Sequence, residues 1–171
     1  MLRDDGPSRL THFDQFPAPI YATDQDGTLV YYNGACVDFA GRTPAIGVDR
    51  WCVSWKMLDP NGVEVPHDQC QMAIVVREGA SCHGVEAVAE RPDGARTPFR
   101  AFPTPVIDVD GHIVGGVNLL VPLDGVAHAD LLATAVKCRS LARWVSDNQA
   151  SHTLEHMADE CEVQAAILRL D

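Results

Sequence analysis

Four tetrapeptides, DQDG at 24–27, DPNG at 59–62, RPDG at 91–94 and DVDG at 108–111, punctuate the chain between residues 20 and 122. Each joins Asp or Asn side chains that bond the local backbone to a glycine that tolerates positive φ. That is the chemistry of a tight corner between strands. The runs between them, "PIYAT", "TLVYYN", "VEAVAE", "ARTPFRAFPTPVI" and "HIVGGVNLLVPL", carry the branched and aromatic residues of a pleated, half-buried surface. Short corners join antiparallel neighbours, so an antiparallel sheet of about five strands is predicted. A calcium-loop reading fails on its own pattern. An EF-hand needs an acid at its first position, where Ala22 and Val106 stand relative to Gly27 and Gly111.

Helical pieces interrupt the sheet after its second strand: "GACVDFAG" around Cys36, an irregular "TPAIGVDRWCVSW", and "PHDQCQMAIVVREG". In the last, Pro66 precedes the helix, His67 or Asp68 is expected to accept its first amides, and Gly79 to stop it. Met72, Val75, Val76 and Gly79 recur at three and four, so one side must face the sheet. From Val126 the period is helical throughout. Leu131, Ala135, Cys138, Ala142 and Val145 make one stripe, and Leu154, Met157, Cys161, Ala165 and Leu168 a second, with "SDNQ" breaking between them. Lys137, Arg139 and Arg143 face Glu155, Asp159, Glu160 and Glu162 across that break, which predicts an antiparallel helical hairpin. The chain is thus read as α+β, with an arm (1–15), a sheet-and-helix domain (16–123) and the hairpin (124–171).

A length of 171 residues with 46% hydrophobic content suffices for one domain with an appendage. No run approaches the ~20 apolar residues of a membrane span, and the start lacks a signal-peptide core, so a soluble cytoplasmic protein is expected. The six cysteines form no C-x-x-C pair and are expected reduced and mostly buried. A net charge of -11 repels phosphate backbones and anionic lipid, so neither nucleic acid nor membrane insertion is expected.

Two strands, a cluster of short helices and three long strands follow the order of a PAS domain. The words "PIYATDQDGTLVYYNGACVDFAGR", "DRWCVSWKMLDPNG", "VPHDQCQMAIVVREG", "VEAVAERPDGARTPF" and "PTPVIDVDGHIVGGVNLLVPL" closely resemble PAS sensor modules of bacterial histidine kinases. The resemblance spans roughly Phe16 to Leu123. It implies a PAS fold, here as a stand-alone regulator, since 171 residues leave no room for an ATPase domain. It also implies action through docking onto histidine kinases or other signalling proteins, with a homodimer expected.

PAS folds imply a cavity between the last short helix and the inner sheet face. The inward candidates are Trp51, Trp55, Met72, Val76, Phe99, Phe102, Val117 and Leu119, which would line it for a small apolar ligand or fill it as solid core. Gly115 and Gly116 either let a backbone or ligand approach closely or mark a strand bend. Haem-binding PAS modules present a histidine from this helix or its end, which leaves His67 and His83 as candidates. His67 is better placed as a cap, and Cys70, on the apolar stripe, as core filler; a metal at His67 and Cys70 lacks a second ligand pair. Flavin-sensing relatives need a reactive cysteine in a polar pocket, and Cys36 and Cys52 lack those surroundings. His152 and His156 share a helical face and admit a metal pair or phosphotransfer, against a solvated polar face as the simpler reading. No G-x-S-x-G, H-E-x-x-H or P-loop occurs, and adjacent Cys82 and His83 would point to opposite faces of a strand. Neither an enzyme nor a resident cofactor is expected.

Overall fold

The computed structural model describes residues 13–80, 82, 84–123, 128–143 and 148–167. The element order is β1 (Ile20–Asp24), β2 (Leu29–Tyr32), α1 (Gly34–Ala40), β3 (Lys56–Leu58), a 3-10 turn (His67–Gln69), α2 (Gln71–Glu78), β4 (Val85–Glu90), β5 (Arg96–Ile107), β6 (Ile113–Pro122), α3 (His128–Ala142) and α4 (Asn148–Ile167). These fall into two compact units that divide between Pro122 and Leu123.

The strands form one antiparallel sheet in the order β2-β1-β6-β5-β4-β3. Six strands replace the five expected. The addition is β3, which pairs with β4 through Met57 and Ala89. Three residues are too few to show an alternation in sequence. The DPNG corner folds the chain back on β3, with the Val65 amide donating to the Met57 carbonyl at 2.8 Å.

All four corners form as predicted, three of them by one device. The first aspartate accepts two amides on one oxygen: Asp24 from Asp26 and Thr28 at 3.0 and 2.8 Å, Asp59 from Asn61 and Val63 at 2.9 and 2.8 Å, Asp108 from Asp110 and His112 at 2.9 and 2.8 Å. In RPDG, Asp93 serves the Ala95 amide at 2.9 Å. The closing glycines have φ between 83° and 85°, a region where other residues are strained.

Strand β5 is internal yet holds Pro98, Pro103 and Pro105, which lack amide donors. Pairing resolves the conflict. Even-numbered residues of β5 turn toward β6, whose pairing begins only at Phe99↔Pro122, so Pro98 lies beyond its end. Pro103 and Pro105 turn toward β4, whose pairing stops at Ala101.

The inner sheet face contributes Tyr21, Ala89, Phe99, Ala101 and Leu120 to a core closed by Cys36 and Phe39 of α1 and by Met72, Ala73 and Val76 of α2. Phe39 meets Phe99 edge-on at 5.2 Å. Asn33 ties the strands to the preceding segment. Its Oδ1 accepts the Ile20 amide at 3.1 Å, and its Nδ2 donates to the carbonyls of Ala18, Phe13 and Phe16 at 2.9, 3.1 and 3.4 Å. Helix α2 starts later than expected. The 3-10 turn occupies His67–Gln69, and Cys70, not His67 or Asp68, is the N-cap residue. Gly79 closes the helix in the left-handed region, φ 74°, as anticipated.

In the second unit, Leu131, Ala135, Cys138 and Ala142 of α3 and Leu154, Met157, Cys161 and Ala165 of α4 are buried. These are the predicted stripes, apart from Val145 and Leu168, which lie outside the described residues. The helices run antiparallel. Arg139 bridges to Asp159 and Glu162 at 2.9 and 2.7 Å, and the Ser151 hydroxyl donates to the Ala142 carbonyl at 2.9 Å.

Candidate functional site

Between α2 and the sheet lies a cavity of about 220 Å³. The sheet supplies Tyr21, Met57, Ala87, Phe99, Ala101, Asn118 and Leu120; the loop before β3 supplies Cys52; the start of α2 supplies Gln69, Cys70, Gln71 and Met72. Gly116 sets how close α2 can come. A Cβ there would stand 2.8 Å from Val76 Cγ2 and 2.9 Å from Met72 Sδ. Gly115, for its part, lies against the Thr23 carbonyl of the neighbouring strand.

A polar pair crosses this apolar wall. The Tyr21 hydroxyl donates to the Trp51 carbonyl at 2.9 Å and accepts from Asn118 Nδ2 at 3.0 Å, while Asn118 Oδ1 accepts the Phe102 amide at 3.1 Å. One amide hydrogen of Asn118 therefore remains for a ligand. Burial pushes the Tyr21 phenol well above its ordinary pKa, with the neighbouring Cys52 and Cys70 adding to the effect, so it acts as a neutral hydrogen-bonding group. Burial likewise pushes the Cys70 thiol up to about 12, an effect the Ala73 and Met72 amides only partly offset. The thiol leans on the same Trp51 carbonyl at 3.7 Å.

Trp51 links this cavity to the surface. It is the one non-glycine residue with positive φ, 66°, among the described residues. Its ring lies so close over Gly27 that a Cβ there would meet it at 2.2 Å, and the Arg77 guanidinium sits 5.0 Å from the ring centroid. Outside Trp51 an open cleft is lined by Val48, Asp49, Arg50, His67, Asp68 and Arg77. Partial burial and then the Arg42 charge lower the His67 pKa, which holds the ring neutral near pH 7.

The eight residues expected to face the cavity divide. Met72 and Phe99 line it, and Val76 packs beside it against Gly116. Trp51 does not line it; its carbonyl is held by Tyr21 and Cys70, which do, and it borders the outer cleft. Trp55 projects outward, 52% exposed. Phe102, Val117 and Leu119 lie on the opposite sheet face, because strand side chains alternate and Phe99, Ala101, Asn118 and Leu120 take the inner one. Tyr21 and Asn118 escaped the sequence reading. The lone polar residue in "VGGVNLLV" was the available signal for the second.

His67 lines the outer cleft rather than the cavity, and His83 lies outside the described residues. No described histidine lines the cavity, and its volume falls below the roughly 300–1,000 Å³ of ordinary ligand pockets. The residues present do not fit haem. Cys52 does border the cavity, beside Gln69, Gln71 and Asn118, a more polar setting than its sequence neighbours suggested, but the volume is small for a tricyclic flavin. Cys36 is buried and donates to the Ile20 carbonyl at 3.3 Å. On α4, His152 is exposed and His156 half-buried.

A family model described as "PAS fold" matches residues 13–123. The chain belongs to the PAS family. Among solved structures it is similar to the LOV protein of Rhodobacter sphaeroides, at TM-score 0.59 and 13% identity over 94% of each chain. It is similar to a PAS domain from Colwellia psychrerythraea, at TM-score 0.50 and 19% identity over 67% of this chain and 93% of that one. It also resembles VqmA of Vibrio cholera in a ligand–DNA complex, at TM-score 0.51 and 21% identity over 82% of this chain and 60% of that one. At these identities the likeness is one of fold. No curated protein matches the sequence, and no helix among the described residues is long and apolar enough to cross a membrane.

Proposed function

We propose that this chain is a non-enzymatic sensory module. Its cavity receives the input, and its output is contact with a signalling protein of the histidine-kinase class. The observation that carries the reading is the buried Tyr21–Asn118 pair across a mainly apolar cavity, which offers a small molecule a volume and a hydrogen-bond partner in one place. The link from Tyr21 through the Trp51 carbonyl to the Arg77 stack supports a route outward. An input must favour one of two arrangements to be felt at a surface, and the left-handed backbone of Trp51, which costs a bulky residue about 1–3 kcal/mol, supplies strain that a second arrangement would relieve. Leu132, Val136, Val163 and Ile167, exposed on the two C-terminal helices, support a homodimer or partner surface there.

Two measurements test this. Xenon pressure followed by amide NMR should perturb Ala101, Asn118 and Leu120 in the native protein and not in Ala101→Leu, which fills the space. Crosslinking in the source cells should recover a kinase or a protein of its pathway. A cavity that admits no xenon overturns the input; a chain that crosslinks to no signalling protein overturns the output.

A further inference from the structure

Four of the side chains bordering the cavity carry sulfur: the thiols of Cys52 and Cys70 and the thioethers of Met57 and Met72. They arrive from separate pieces of chain: the loop before β3, β3 itself, the N-cap of α2 and its first turn. Cys70 and Tyr21 share the Trp51 carbonyl, and Cys52 lies 3.0 Å from the Ser54 hydroxyl. Met72 Sδ lies against Gly116 of β6. No basic residue lines the cavity; of the two acidic residues along it, Asp59 accepts the corner amides with its carboxylate and Glu86 turns its own to Arg100 on the opposite sheet face. With no cationic side chain along it, nothing in the lining opposes a metal ion.

Thiolate and thioether donors together select soft ions, Cu(I) foremost, and reject the hard cations that take oxygen ligands. Resting on the reading of the cavity as the input site, we infer that its ligand is a soft monovalent metal ion of the Cu(I) class, held by the Cys52–Cys70 pair with Met57 and Met72. Binding replaces one S–H bond by one metal–sulfur bond, and the proton leaves to solvent. One thiolate then cancels the ion's single charge, so the complex in this apolar space is neutral, and the thioethers complete the coordination without adding charge. Because Met57 is on β3 and Met72 on α2, coordination draws the helix toward the sheet edge.

The test uses the full chain carrying Cys82→Ser, which removes the half-buried thiol outside the cavity, with Ag(I) as a redox-inert probe and methionine methyl NMR as readout. One equivalent should shift the Met57 and Met72 methyls, leave Met157 in place and release one proton. Cys52→Ser/Cys70→Ser should abolish the shifts. Met57→Leu/Met72→Leu, nearly volume-conserving, should weaken binding at least tenfold and serves if the double serine variant fails to fold. Ag(I) binding that leaves both methyls unmoved, or that survives in both double variants, overturns the inference. Xenon separates the two failures: entry of xenon without Ag(I) binding sinks the metal alone, and entry of neither sinks the input site with it.

Discussion

Asn33 shows how much one side chain can hold. Fully buried, it satisfies an amide and three carbonyls that strands and helices leave over. Truncation strands the Ile20 amide and several carbonyls out of reach of water, at about 1–3 kcal/mol for each group left unmet. Asn33→Ala should therefore lose about 2–4 kcal/mol in urea denaturation with the slope unchanged; a loss of only a few tenths would show that water replaces it. Gly27 is constrained twice, by φ of 83° and by the Trp51 ring above it. Gly27→Ala should destabilise the fold and release the Arg77–Trp51 stack, seen as a downfield return of the ring-shifted Arg77 side-chain protons. From sequence, Asn33 looked like the end of a strand and Gly27 like the end of a corner. Their partners, thirteen and twenty-four residues away, become visible only when β1, β2 and the Trp51 loop meet.

At the scale of elements, the corners were the most legible feature, because an Asx turn is written in a few adjacent residues and owes nothing to the rest of the fold. Their amides hold the Asp59 and Asp108 carboxyls below the ordinary carboxylate range, with His112 assisting at Asp108. A lowered folded pKa means the stabilisation is present above the unfolded value near ~3.9 and is lost as pH falls through the folded one. Carboxyl carbon titration should place both midpoints below the ordinary aspartate value near ~3.9, and the Asn61, Val63, Asp110 and His112 amides should lose exchange protection in the same acid range. Normal midpoints would refute the device. The phase of the long strands was far less legible. β5 and β6 are apolar on both sides, so "AFPTPV" and "VNLLV" show no alternation from which to read which face is inner. Hence Phe102, Val117 and Leu119 were assigned beside Phe99 although register puts them on the other side.

For the whole molecule, the apolar residues left exposed on the two C-terminal helices lead to the proposed homodimer. Light scattering should give twice the mass of one chain, and Val136→Glu/Val163→Glu should return it to the mass of one while leaving the circular dichroism of the sheet unchanged. A monomeric native protein would remove that surface from the argument. The PAS family and the α+β class followed from the amino-acid order, since corners, strand runs and helical stripes are local and repeat at known periods. So did the antiparallel C-terminal helices, whose stripes and opposed charges lie in adjacent segments. The cavity did not follow. Tyr21, Cys52, Met57, Cys70, Met72 and Asn118 stand up to 97 residues apart and share no period. Only packing α2 onto a sheet of settled register determines which of their atoms converge and how little space is left between them.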